Sequence, residues 1–231
     1  MTSITVLDLA AHAAIRAGGR QVPLGADRRF VEIAPREVTM AAITFPVMVT
    51  KNADSGAFLL GAVLGVDEGE NLYLDQMNDG DVYRPLQLQR EGFWIAQDQV
   101  AADLDHPRFK TGSGERLYDD EGSPTPFLQG VMEALKELRG GVSMSAVLLP
   151  RLVELGLLVP IDISLDFDDG SRRTLQDLYS IDQDALRTLD DAIVLDLFRR
   201  GYLQVVYLMI ASLKNIPRLA KMKNERMGLP A

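Results

Sequence analysis

The hydrophobic period of this chain changes near residue 123, and that change constrains its fold more than any other feature. From Ala34 to Ala102 the apolar residues come in short runs broken by turn chemistry: Phe45 to Thr50, then Asn52-Ala-Asp-Ser-Gly56, then Phe58 to Gly65. Short apolar runs bounded by Gly, Asn and Asp read as hairpin strands. The same reading makes strands of Asn71–Leu74, Val82–Tyr83 and Phe93–Ala96. The polar and mostly acidic stretch 97–122 reads as a long loop.

Beyond Ser123 the repeat becomes helical. Leu128, Val131, Leu135 and Leu138 recur at three- and four-residue spacing, and Gly140-Gly141 is expected to stop that helix. A second helix is expected over 143–155, with Pro150 opening its later half or kinking it and Gly156 ending it. Ile161, Ile163, Leu165 and Phe167 alternate with polar residues and lead into Asp168-Asp169-Gly170, so a hairpin is expected here. Helices follow again, with acidic groups at Asp190 and Asp191 placed for a helix N-terminus and a heavily apolar segment from Val205 to Leu213. The fold class is therefore α+β: a β-rich N-terminal portion of short antiparallel strands and a largely helical C-terminal portion containing one β-hairpin.

Composition narrows the chemistry. The 231 residues carry 24 basic and 33 acidic side chains, a net charge of −9 that argues against binding a phosphate backbone, so no nucleic-acid partner is expected. With no cysteine and two histidines, disulfides, thiolate zinc, iron–sulfur ligation and thiol nucleophiles are excluded. No Gly-x-Ser-x-Gly, Gly-x-Gly-x-x-Gly or Walker-type loop occurs, and no cofactor is expected. Asp8 and His12 interrupt the apolar N-terminus where a signal peptide needs continuity, and Leu203 to Leu213 is too short for a bilayer, so a cytoplasmic protein without membrane insertion is expected. Five basic residues from Lys214 onward, against Glu225 alone, make a tail that is expected to fold back on an acidic body.

Asp103, Asp105 and His106 form the one place where a histidine adjoins two carboxylates. A facial metal triad would need His12 as well, so a solvated acidic loop turned by Pro107 is favoured over a metal site. Asp166 to Gly170 lacks the spacing of a calcium loop and reads as a hairpin turn. The aromatic residues Tyr73, Tyr83, Phe93 and Trp94 fall close together in the strand-rich part, flanked by Arg84 and Arg90. Half-exposed Tyr and Trp bury large area at small entropic cost, and arginines beside them can pair a carboxylate or a peptide terminus. These six are the candidate binding residues, with core packing the alternative for most of the aromatics.

Several words, in order, resemble the bacterial SapC family. Ala42 to Gly56 is similar to that family's Phe-Pro strand followed by a Lys-Asp-type turn. Glu70 to Tyr73, Tyr83-Arg-Pro85, Arg90 and Phe93 continue the likeness, and Leu117 to Leu128 is close to its Asp-x-x-Gly-x-Pro-Thr word. Leu155 to Pro160, Leu178 to Asp182 and Ala211 to Leu213 complete it, whereas Glu91-Gly92 departs from the pattern. The resemblance divides the chain into an N-terminal extension at 1–27, a SapC-like domain at 28–219 (β-rich 34–102, acidic loop 97–122, helical 123–219) and a basic tail at 220–231. It implies an accessory role connected with surface-layer secretion or transport and carries over no catalytic residue. The expected function is thus a non-catalytic accessory protein that binds a polypeptide or a surface or transport component. The alternatives are a metal-assisted enzyme acting on peptides or amino acids and a homo-oligomeric scaffold docked through a flat face over Val205 to Leu213.

Overall fold

The computed structural model describes residues 4–18 and 22–228. In chain order it contains β1 (Ile4–Val6), α1 (Leu9–His12), β2 (Arg16–Ala17), β3 (Phe30–Glu32), α2 (Val38–Thr44), β4 (Val47–Lys51), β5 (Phe58–Val63), α3 (Leu74–Asp79) and α4 (Leu86–Gln89). There follow β6 (Phe93–Ala96), β7 (Gln99–Asp103), β8 (Glu115–Arg116), α5 (Pro126–Glu154), β9 (Leu158–Asp166), β10 (Arg172–Ile181), α6 (Gln183–Arg187), α7 (Asp191–Arg199), α8 (Tyr202–Ser212) and α9 (Ile216–Arg226).

The strands form a five-stranded antiparallel sheet in the order β3-β5-β4-β10-β9, a three-stranded sheet β1-β7-β6 and the small pair β2-β8. The hairpin expected around Asp168 is β9–β10, joining the main sheet beside β4. Successive residues Val47, Met48 and Val49 are all fully buried, so both faces of β4 are covered. Helix α8 lies on β4 and β10 with α2 beside it. Burying Val205, Val206 and Met209 there contributes about 1.5–3 kcal/mol per side chain. On its Val205, Val206 and Met209 side the flat apolar face expected over Val205 to Leu213 is therefore a core face, while Tyr207 stays exposed. The Ser212 hydroxyl, inside it, accepts the Val47 amide proton at 2.8 Å, and the Asn215 amide donates to the carbonyls of Ala42 and Phe45.

Several elements differ from their sequence reading. The segments 71–74 and 82–83 are not strands; the first leads into α3, and the second is loop. Runs of two to four residues are too short to fix a strand by themselves. The stretch 97–122 is not all loop. Gln97 and Asp98 both take positive φ, the requirement of a two-residue type I′ turn, and close the hairpin β6–β7 without a glycine to announce it. The N-terminal segment supplies β1, an edge of that sheet.

Gly140-Gly141 does not end a helix. Helix α5 runs unbroken for 29 residues, about 43 Å, through both glycines and Pro150. It stops at Gly156, whose φ of +66° allows the Leu157 amide to reach back to the Leu152 carbonyl at 2.9 Å. Its length joins two cores. Leu128, Val131 and Leu135 pack with Phe93, Ala102 and Leu117, while Leu148, Leu149 and Leu152 pack into the main core. Gly141 passes Ala34 so closely that an added Cβ would lie 2.3 Å from the Ala34 Cβ.

The basic tail does fold back. Helix α9 places the Lys223 ammonium 2.6 Å from Glu70 and 2.8 Å from Asp67, and Arg226 donates to the Asn71 carbonyl.

Candidate functional site

Both sheets end in an unpaired strand, and the two ends face a common cleft. The sheet order leaves β3 at one edge of the main sheet and β6 at one edge of the small sheet. The bonds of the Leu64 amide to Arg29 and of the Ile33 amide to Leu60 make 29–64 and 33–60 the hydrogen-bonded pairs of that ladder. Antiparallel pairs alternate, so the amide and carbonyl groups of Phe30 and Glu32 turn away from β5 toward the open edge. In β6 the bond from the Asp103 amide to the Gly92 carbonyl sets the same alternation and turns the backbone of Ile95 outward.

The cleft encloses about 470 Å³. Its walls carry Arg28 and Glu32 from the β3 side, Arg90 and Glu91 from the turn after α4, Trp94 from β6, Asp103 from the end of β7 and His106 from beyond it. Arg90 stacks its guanidinium 5.7 Å from the centre of the Trp94 ring, and Gln87 and the Phe93 carbonyl hold it there. Burial pushes the Glu32 carboxyl above its usual range, with Arg90 pulling the other way. The Nδ1 of His106 accepts the Arg108 amide proton at 3.2 Å, which assigns the ring proton to Nε2. That nitrogen lies 3.9 Å from Glu91, whose other carboxylate oxygen is enclosed without a hydrogen-bond partner.

The six candidate binding residues separate into three groups. Arg90 and Trp94 meet in the cleft. Tyr73 and Phe93 are fully enclosed core residues: Tyr73 packs edge-on to Phe45, its hydroxyl donates to the Thr44 carbonyl, and burial pushes it up to about 12. Tyr83 and Arg84 are not among the residues that line the cleft. Tyr83 donates to Glu37 at 2.9 Å, and burial beside that carboxylate drives the phenol far upward. Glu37 also accepts the amides of Ala34 and Leu86, tying α2, α4 and the β3 exit together.

Asp103, Asp105 and His106 do not converge. Asp103 and His106 line the cleft, but Asp105 is exposed and bonded to Lys110 at 2.8 Å, which holds its carboxyl below the usual range. Among the described residues no group of three or more His, Asp or Glu could hold a metal ion. Arg28, Glu32 and Glu91 were absent from the sequence candidates. The alternation Val31-Glu32-Ile33 was the available signal for Glu32, since it marks a half-buried strand.

Among the described residues no helix is long and apolar enough to cross a membrane. No curated protein and no solved structure matches the chain. The SapC family model matches residues 7–219, a span that begins just after β1 and takes in every later strand, the cleft and the first turn of α9, and the chain therefore belongs to the SapC family.

Proposed function

We propose that this SapC-family protein is a non-catalytic accessory protein that binds a polypeptide, the surface or transport component it serves, in the cytoplasm. The observation that carries this reading is the cleft between two unpaired strand edges, with Trp94 and Arg90 stacked in its wall. An extended peptide can donate to and accept from the outward backbone groups of Phe30 and Glu32, as in strand addition to a sheet edge. Trp94 supplies apolar area with two rotatable bonds, and Arg28, Arg90, Glu32 and Glu91 offer charges of both signs to the peptide's side chains.

Trp94 is the chain's single tryptophan, so its fluorescence reports on the cleft alone. Partners captured from the native lysate on wild-type and Trp94→Ala baits are identified, and peptides from them are titrated against Trp94 emission. The expected result is a saturable change with the wild type and at least a tenfold weaker capture by Trp94→Ala, with an unchanged melting temperature. Equal capture by the two baits, or a catalytic turnover that survives Trp94→Ala, overturns the reading.

A further inference from the structure

A second cavity of about 390 Å³, separate in its lining from the cleft just described, lies between α3, α4 and the start of α5. Its polar side chains include two guanidinium groups, Arg84 and Arg108, and no carboxylate. Its apolar walls are Leu24, Met77, Phe127 and Val131. Arg108 is only 5% exposed, and its guanidinium is held 5.2 Å from the Phe93 ring centre and 5.1 Å from that of Phe127. Both of its side-chain hydrogen bonds run from Nη1, to the carbonyls of Gln89 and Glu91, and its Nε is enclosed with no acceptor at all. Arg84 donates from Nη2 to Asn78.

Two desolvated cations facing one cavity repel each other. Burial, together with that repulsion, pulls Arg108 down to about 10. One carboxylate, Glu91, acts on both guanidiniums, and it is shared with Arg90 as a third. The first turns of the 29-residue helix α5 form another wall, so the positive end of its dipole adds to the same field. Gly130 contributes open space: a Cβ added there would meet nothing within 4 Å.

We propose that this cavity binds the carboxylate of an apolar acid, the charged end paired by Arg84 and Arg108 and the hydrocarbon body set against Leu24, Met77 and Val131. A carboxylate accepts from the remaining Nη donors of the two guanidiniums and relieves the repulsion between them, and the apolar walls reward a branched aliphatic body rather than a bare ion. The site shares no lining residue with the peptide cleft, and its test uses no polypeptide.

Calorimetric titration of the full chain with 4-methylpentanoate, N-acetyl-leucine and N-acetyl-leucinamide tests it. Both acids are expected to bind, and the uncharged amide at least tenfold more weakly. N-acetyl-leucine binding tighter than 4-methylpentanoate identifies a peptide C-terminus as the natural source, and the reverse order a free organic acid. Arg84→Gln removes one guanidinium, and Gly130→Leu fills the cavity while leaving both arginines in place; each is expected to lower acid affinity at least tenfold. The proposal fails if neither acid binds at millimolar concentration, if the amide binds as well as the acids, or if both variants bind like the wild type.

Discussion

Adjacent glycines at 140 and 141 offer a paired test of how α5 is built. In a continuous helix interior, Gly to Ala gains about 1 kcal/mol from propensity alone. At Gly140, exposed with nothing within 4 Å of an added Cβ, that gain is expected in full. At Gly141 the same methyl would sit 2.3 Å from the Ala34 Cβ and 3.3 Å from its Cα, a position that forces the helix and the β3 exit apart. Such overpacking costs about 1–3 kcal/mol and offsets or exceeds the propensity gain. Gly140→Ala should therefore raise the melting temperature by about 2–4 °C, and Gly141→Ala should leave it unchanged or lower it, with the overpacking cost separating the two. Adding Ala34→Gly to Gly141→Ala should recover part of the loss, because it removes the nearer of the two opposing atoms. Thermal unfolding followed by far-ultraviolet circular dichroism measures all four proteins. Equal stabilisation by both single variants would refute the close approach at Ala34, and destabilisation by Gly140→Ala would show that the helix ends there after all.

Two further substitutions test the contacts that hold the candidate site in place. Glu37→Ala leaves the Ala34 and Leu86 amides and the Tyr83 hydroxyl without their acceptor in a buried setting, and should cost about 2–4 kcal/mol in urea unfolding; a loss below about 0.5 kcal/mol would show that these donors find other partners. Lys223→Met removes the cation that holds the Asp67 carboxyl below its usual range. A lowered carboxyl contributes stability above its unfolded pKa and loses it as pH falls through the folded one. The variant should therefore be less stable at pH 7, by about 1 kcal/mol since Asp67 is largely open to solvent, and should lose less of its remaining stability on acidification. The same Lys223 is held above its ordinary value by Asp67 and Glu70 although burial opposes them, so the wild type should lose this contribution as pH rises through that raised value. Parallel acid limbs for variant and wild type would count against the pairing.

What could be read from the sequence was whatever one segment decides by itself. The β9–β10 hairpin announced itself through alternation and Asp168-Asp169-Gly170, and the main strands β4 and β5 through apolar runs flanking a turn. The misreadings share a cause in tertiary context. Gly140-Gly141 has the local chemistry of a helix stop, yet Leu148, Leu149 and Leu152 drive the chain onward into the main core, and the glycine at 141 serves a close approach to a residue more than a hundred positions away. Tyr73 and Trp94 are alike as recognition candidates in sequence, but one faces Phe45 inside the core and the other Arg90 at a sheet edge. The cleft itself comes from three separate stretches, 28–32, 87–94 and 103–106, which meet only because β3 and β6 terminate different sheets. Arg84 and Arg90 stand six residues apart, and the structure sends them to different cavities. A local pattern can name the residue types that recognise a ligand, but which of them share a ligand is set by the strand order, which no single segment records.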